Sequence, residues 1–170
     1  YCWNVEALGD LSDRHFKSSE SWAKPHLMEA VTAIDGQAVN PRYLEIAFDN
    51  LCNFKCVYCD LQSSSRWQKE IEEQGAYPTS YNNPIWYKLQ RRYPLPSAQR
   101  QRYEAAFWQW WPQLKRDLQV FRITGGEPLL HQSTWRCFES LVIEPEPHLS
   151  VAVNSNLGVS EAAVQRLIHY

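Results

Sequence analysis

A chain of 170 residues, 44% of them hydrophobic, has the material for one domain with a buried core, or for part of a larger one. Its formal net charge of −2 offers no basic field for nucleic acid, and no apolar run approaches the ~18 residues a membrane-crossing helix needs. Five cysteines, three of them between positions 52 and 59, argue against a secreted disulfide framework and fit a reducing cytoplasm. The start, Tyr1-Cys2-Trp3, carries neither an initiator Met nor a signal segment, which suggests a fragment.

Residues 1–40 read as an N-terminal extension outside the main fold. Ser18-Ser19-Glu20-Ser21 is loop-like, and the Asp35-Gly36 turn between short apolar stretches predicts a hairpin. His15 and His26 stand alone and read as structural or exposed. Residues 41–170 form the core unit. In Arg42 to Asp49, Leu44, Ile46 and Phe48 alternate onto one face, which predicts a strand that Asp49-Asn50 ends. Cys52, Cys56 and Cys59 then fall on a loop at the strand's carboxyl end, where α/β folds place their chemistry. Ser63-Ser64-Ser65 caps a helix that runs through Ile71 and stops near Gly75. Tyr77 to Pro96 reads as an irregular insertion. Its Arg91-Arg92 reads as a solvated pair.

Ser97 to Leu118 predicts a helix with Ser97 as N-cap and an apolar face of Tyr103, Phe107, Trp110, Trp111 and Leu114. Pro112 is expected to kink or interrupt it. The tryptophans read mainly as core, with cofactor stacking by Trp108, Trp110 or Trp111 as the lesser reading. Val120 to Thr124 is a second strand, followed by Gly125-Gly126-Glu127-Pro128 and a helix from Pro128 to about Leu141 with His131 on its surface. Leu149 to Val153 is a third strand, closing on Asn154-Ser155-Asn156-Leu157-Gly158. Ser160 caps a last helix with Ala163, Val164, Leu167 and Ile168 on its apolar face. This alternation argues parallel βαβ units.

Three thiolates on one loop can hold an iron–sulfur cluster and leave one iron open, which a catalytic metal needs. Structural zinc is an alternative, but it requires a fourth ligand, and Cys2, Cys137 or His131 would have to come from afar. Unrelated free thiols are a third reading. Gly125-Gly126 lets the backbone approach a ligand closely. Glu127 suits the start of a helix through the dipole, and its carboxylate, with nearby carbonyls, can also accept from an ammonium group. Asn154, Ser155 and Asn156 read equally as turn chemistry.

Cys-x3-Cys-x-Tyr-Cys after the first strand and Gly-Gly-Glu-Pro after the second together resemble the radical S-adenosylmethionine (radical SAM) superfamily. The resemblance runs from about Arg42 to Gly158. It implies the N-terminal part, about three βα units, of a parallel partial (β/α)6 TIM-type barrel that is incomplete at its C-terminal side. It implies a [4Fe–4S] cluster on Cys52, Cys56 and Cys59 as metal ligands, and S-adenosylmethionine chelating the open iron. Tyr58 would lie against the adenine. Gly125, Gly126 and Glu127 would hold the methionine end. Ser155 and Asn156 resemble the family's polar pair that contacts the cofactor, although Leu157 interrupts that match. The implied activity is reductive cleavage of S-adenosylmethionine to a 5′-deoxyadenosyl radical, which takes a hydrogen atom from a substrate. A flavodoxin- or ferredoxin-like electron donor is implied as partner. Ser63 to Trp67 and the Trp-rich segment resemble the twitch/SPASM-type branch, many of whose members modify peptides, so a peptide substrate is implied. The rival reading is a non-catalytic iron–sulfur or zinc module, or an inactive fragment of such an enzyme.

Overall fold

Alternating apolar residues build three short strands, and the computed structural model describes them within residues 2–33, 39–75 and 97–170. The predicted hairpin at Asp35-Gly36 and the Tyr77–Pro96 insertion lie outside the described residues. Strands β1 (Tyr43–Ala47), β2 (Val120–Thr124) and β3 (Ser150–Val153) form one sheet in the order β1-β2-β3, parallel throughout. The register sets Tyr43 against Val120 and Val120 against Ser150, so all three strands end together at one rim. Parallel neighbours require crossovers, and helices supply them. The fold is therefore mixed α/β, as the alternation predicts.

The extension contributes helices α1 (Cys2–Ala7), α2 (Asp13–Ser18) and α3 (Ala23–Thr32). Sequence reading missed them, because their apolar residues follow no sustained helical stripe. The large ones Trp3, Phe16, Leu27 and Met28 remain exposed. The extension joins the foot of the sheet through Trp22 stacked on Tyr43 at 5.2 Å and through Arg42 paired with Glu29 at 2.7 Å.

Helix α4 (Ser65–Gln74) begins at Ser64, whose hydroxyl accepts from Trp67 N, and ends at Gly75, as expected. Helix α5 (Ser97–Asp117) corrects the reading of Pro112, because it runs unbroken through that residue. A proline inside a helix removes one backbone bond. Here the flanking turns are held by burial of Phe107, Trp111 and Leu114. Tyr103 and Trp110 stay exposed, so the buried face is narrower than the stripe in the sequence.

The expected single helix from Pro128 is two elements. Pro128–Leu130 forms one 3-10 turn, and α6 (Gln132–Ile143) starts afresh after it. His131 is the reason: its extended backbone breaks the run, and its Nδ1 accepts from Ser133 N at 3.2 Å. It is an N-cap stacked on Phe48 at 5.5 Å, not a helix-surface residue. Helix α7 (Glu161–His169) is capped by Ser160, as expected, with Ile168 left exposed.

Helices α5 and α6 bury one face of the sheet. Phe48, Phe107, Trp111, Leu114, Leu118, Phe121, Ile123 and Phe138 share this core with Cys137. Each fully buried large apolar side chain contributes roughly 1.5–3 kcal/mol. Trp111 keeps its polar edge satisfied by donating Nε1–H to Ser140 Oγ at 2.7 Å. Among the described residues, no helix is long and apolar enough to cross a membrane.

Candidate functional site

The rim at the carboxyl ends of the strands gathers all three motifs. Past β1 the chain turns at Asn50, which is buried and donates Nδ2–H to Leu61 O at 3.0 Å and Gln68 Oε1 at 3.2 Å. The cysteine loop that follows is framed by the start of α4. Ser65 Oγ lies 3.0 Å from Cys52 N and 3.2 Å from Cys52 O. Ser64 Oγ donates to Phe54 O at 2.7 Å, and Trp67 Nε1–H donates to Cys56 O at 2.9 Å. Sequence reading assigned these serines to a helix cap and to a family resemblance, and missed that they brace the loop. Their adjacency to the loop was the available signal.

Cys52 is buried, whereas Cys56 and Cys59 are half-buried. All three are free thiols. Burial pushes the Cys59 thiol up, with added contributions from Cys56 and Cys52. The exposed Tyr58 hydroxyl is pushed up mainly by its hydrogen bond to Cys56, then by the charges of Cys56 and Cys59. Among the described residues, no three His, Cys, Asp or Glu side chains converge tightly enough for a single metal ion. A cubane, by contrast, takes each cysteine on a different iron. Its ligands need to surround the cluster, not meet at a point.

The second motif lies directly beneath this loop. Gly126 N donates to Asp49 O at 3.2 Å, and Glu127 N donates to Leu51 O at 2.7 Å. A Cβ on Gly125 would sit 2.6 Å from Asp49 O, and Gly125 also has φ +112°, a conformation L side chains rarely adopt. A Cβ on Gly126 would strike Leu51 O and lie 2.6 Å from Asn50 O. The glycine pair thus admits the chain's own cysteine loop.

Glu127 is 1% exposed. Its Oε1 accepts from Leu129 N at 3.0 Å and from Ser155 Oγ at 2.8 Å, and its Oε2 accepts from Asn156 N at 2.7 Å. The third motif is therefore tied to the second. It is tied to the first as well: Asn156 Nδ2 lies 3.8 Å from Cys52 Sγ and 3.2 Å from Asn53 Oδ1, and Asn53 Nδ2 donates to Gly158 O. Leu157, which interrupts the motif, takes a positive φ of 54° and donates its N–H to Ser155 Oγ at 2.9 Å.

Compared with family models, curated proteins and solved structures, the chain matches none.

Two of the distant ligands considered for zinc stand in other settings. Cys137 is fully buried in the core, and burial drives its thiol far up. His131 commits Nδ1 to the α6 cap. The loop thiols themselves fit an iron–sulfur group. They are free, they lie on one loop, and Cys52 Sγ has two N–H donors, Phe54 N at 3.5 Å and Asn156 Nδ2 at 3.8 Å. Hydrogen bonds to ligand sulfurs are a recurrent feature of such sites. Beside the rim lies a cavity of about 640 Å³, lined in part by Ala47, Asp49, Thr124, Gly125, Asn154 and Arg100. Arg100 and Asp49, both in its lining, form an ion pair at 2.7 Å.

Proposed function

We propose that this chain carries the N-terminal part of a radical SAM enzyme. On this reading it is a segment of a partial (β/α)6 TIM-type barrel whose rim binds a [4Fe–4S] cluster and S-adenosylmethionine. The observation that carries the proposal is the joining of three strand-end loops: Glu127 bonds to Ser155 and Asn156, and Asn156 reaches Cys52. A lone cysteine motif has many readings; here two further motifs are bonded to the same loop.

Cys52, Cys56 and Cys59 would hold the cluster, and Tyr58 would lie against the adenine. Gly125, Gly126 and Glu127 would meet the methionine end. A carboxylate offers about four lone-pair sites. Three of those on Glu127 are already taken by Leu129, Ser155 and Asn156, so at most one remains for an ammonium group. Backbone carbonyls of the motif would supply the other acceptors. The cavity is of the size that small-molecule sites occupy, about 300–1,000 Å³. Bound at the rim on Cys52, Cys56 and Cys59, the cluster, with S-adenosylmethionine, would supply one-electron cleavage of the sulfonium C–S bond and hydrogen-atom abstraction. An electron donor of the flavodoxin or ferredoxin kind and a peptide substrate complete the proposal.

The test is anaerobic reconstitution with iron and sulfide, followed by electron paramagnetic resonance of the reduced protein with and without S-adenosylmethionine. About four irons per chain are expected, with a spectrum that changes when the cofactor is added. Zinc taken up in place of iron, or a cluster indifferent to S-adenosylmethionine, would overturn the proposal.

A further inference from the structure

Glu127 lies at the centre of a chain of hydrogen bonds that ends on a sulfur. A carboxylate that only capped the Pro128–Leu130 turn would need its bond to Leu129 N alone. Glu127 also accepts from Ser155 Oγ and Asn156 N, which lie 28 and 29 residues away in sequence. These two bonds fix the backbone from which the Asn156 side chain projects. The orientation of that side chain is fixed in turn. Asn156 Oδ1 accepts from Gly158 N at 2.7 Å, which the positive φ of Leu157 brings back toward it. The amide nitrogen must then face Cys52 Sγ and Asn53 Oδ1. A flipped amide would set oxygen against Asn53 Oδ1 and NH2 against the Gly158 N–H.

We infer that Glu127 is a positioning residue that aims the Asn156 amide at Cys52 Sγ, so that this N–H···S bond sets the reduction potential of a cluster held through that sulfur. The inference rests on the cluster reading above. Its physical basis is that reduction adds negative charge, part of it carried by the ligand sulfurs, and an N–H donor stabilises the more negative state. Cys52 is 9% exposed, so water does not easily replace a lost donor there.

The experiment is a potentiometric titration of the reconstituted full chain, followed by electron paramagnetic resonance. Asn156→Ala should bind as much iron as the wild type and shift the midpoint to a more negative potential. Glu127→Gln should shift it the same way, because the amide puts an N–H where one of its present donors points. The double variant should move no further than Asn156→Ala, since both changes remove one bond. Ser155→Ala tests the same link without altering the buried charge, so the measurement stands even where Glu127→Gln does not fold. An unmoved or positive midpoint in Asn156→Ala overturns the inference and leaves the cluster reading intact. Shifts that add when Glu127→Gln, or Ser155→Ala, is combined with Asn156→Ala overturn the role of Glu127. A wild-type chain that binds no iron overturns the cluster reading and the inference with it.

Discussion

Replacing Gly126 by alanine tests whether the glycine pair exists to seat the cysteine loop. The added Cβ would lie 2.6 Å from Asn50 O and closer still to Leu51 O. Both atoms are backbone, so no side-chain rotation relieves the overlap. Restoring ordinary contact at 3.4 Å moves the Asn50 carbonyl by about 0.8 Å. That displacement pulls on the Gly126 N to Asp49 O and Glu127 N to Leu51 O bonds. Overpacking of this kind costs about 1–3 kcal/mol. Loss of one backbone bond adds about 0.5–1.5 kcal/mol. Gly126→Ala should therefore destabilise the protein by about 1.5–4.5 kcal/mol. Urea unfolding measures the loss, and amide hydrogen exchange at Glu127 locates it. A change below about 0.5 kcal/mol, with the Glu127 amide still protected, would refute the steric argument.

Three further outcomes follow from the same structure. Lys115 is buried and pairs with the exposed Glu144 at 2.7 Å. The hydrogen bond from Lys115 holds the Glu144 carboxyl below its ordinary value of 4.5. Its contribution is therefore complete above pH 4.5 and is lost as pH falls through the lowered folded value. Urea midpoints of wild type and Glu144→Gln should differ by a constant amount near neutrality and converge in acid. Cys137→Ala should leave iron uptake unchanged, because that thiol is packing, and should cost about 1 kcal/mol in chemical denaturation for the small void it leaves. Pro112→Ala should stabilise α5 by up to about 2 kcal/mol by restoring a backbone N–H within the helix, read as a rise in melting temperature.

The sheet was legible because its signals are local. Leu44, Ile46 and Phe48 alternate within seven residues of Arg42, and the three strand-to-loop punctuations are carried by short, chemically distinctive runs. Caps at Ser64 and Ser160 were legible for the same reason, since the hydroxyl bonds a backbone amide three residues on. What sequence did not reveal depends on distant partners. Lys115 follows Trp-Trp-Pro-Gln-Leu and looks like the solvated end of a helix until Glu144 is placed beside it. His131 is an uncommon N-cap, and its role rests on a ring nitrogen and on stacking against Phe48. Tyr103 and Trp110 fit the stripe of α5, yet burial is decided by how much of that stripe the sheet and α6 cover. Within the site, the residue types were legible and their mutual bonds were not.

That distinction bears on how the rim works. The Gly-Gly pair, Glu127 and the Ser155–Asn156 turn all suggest ligand contacts when read singly, and each is engaged first with the protein itself. Gly126 receives the Asn50 and Leu51 carbonyls, Glu127 takes three protein donors, and Asn156 spans Cys52, Asn53 and Gly158. Ser64, Ser65 and Trp67 fasten the loop from its other side through Cys52, Phe54 and Cys56. The fastening is uneven. Cys52 is buried and bonded, while Val57 and Tyr58 are 95% and 86% exposed. A group arriving at this rim would therefore meet one sulfur already fixed in place and two on a more open turn. A site preorganised on one side and open on the other lowers the ordering cost of binding. Tyr58, hydrogen-bonded to Cys56, stands on that open side.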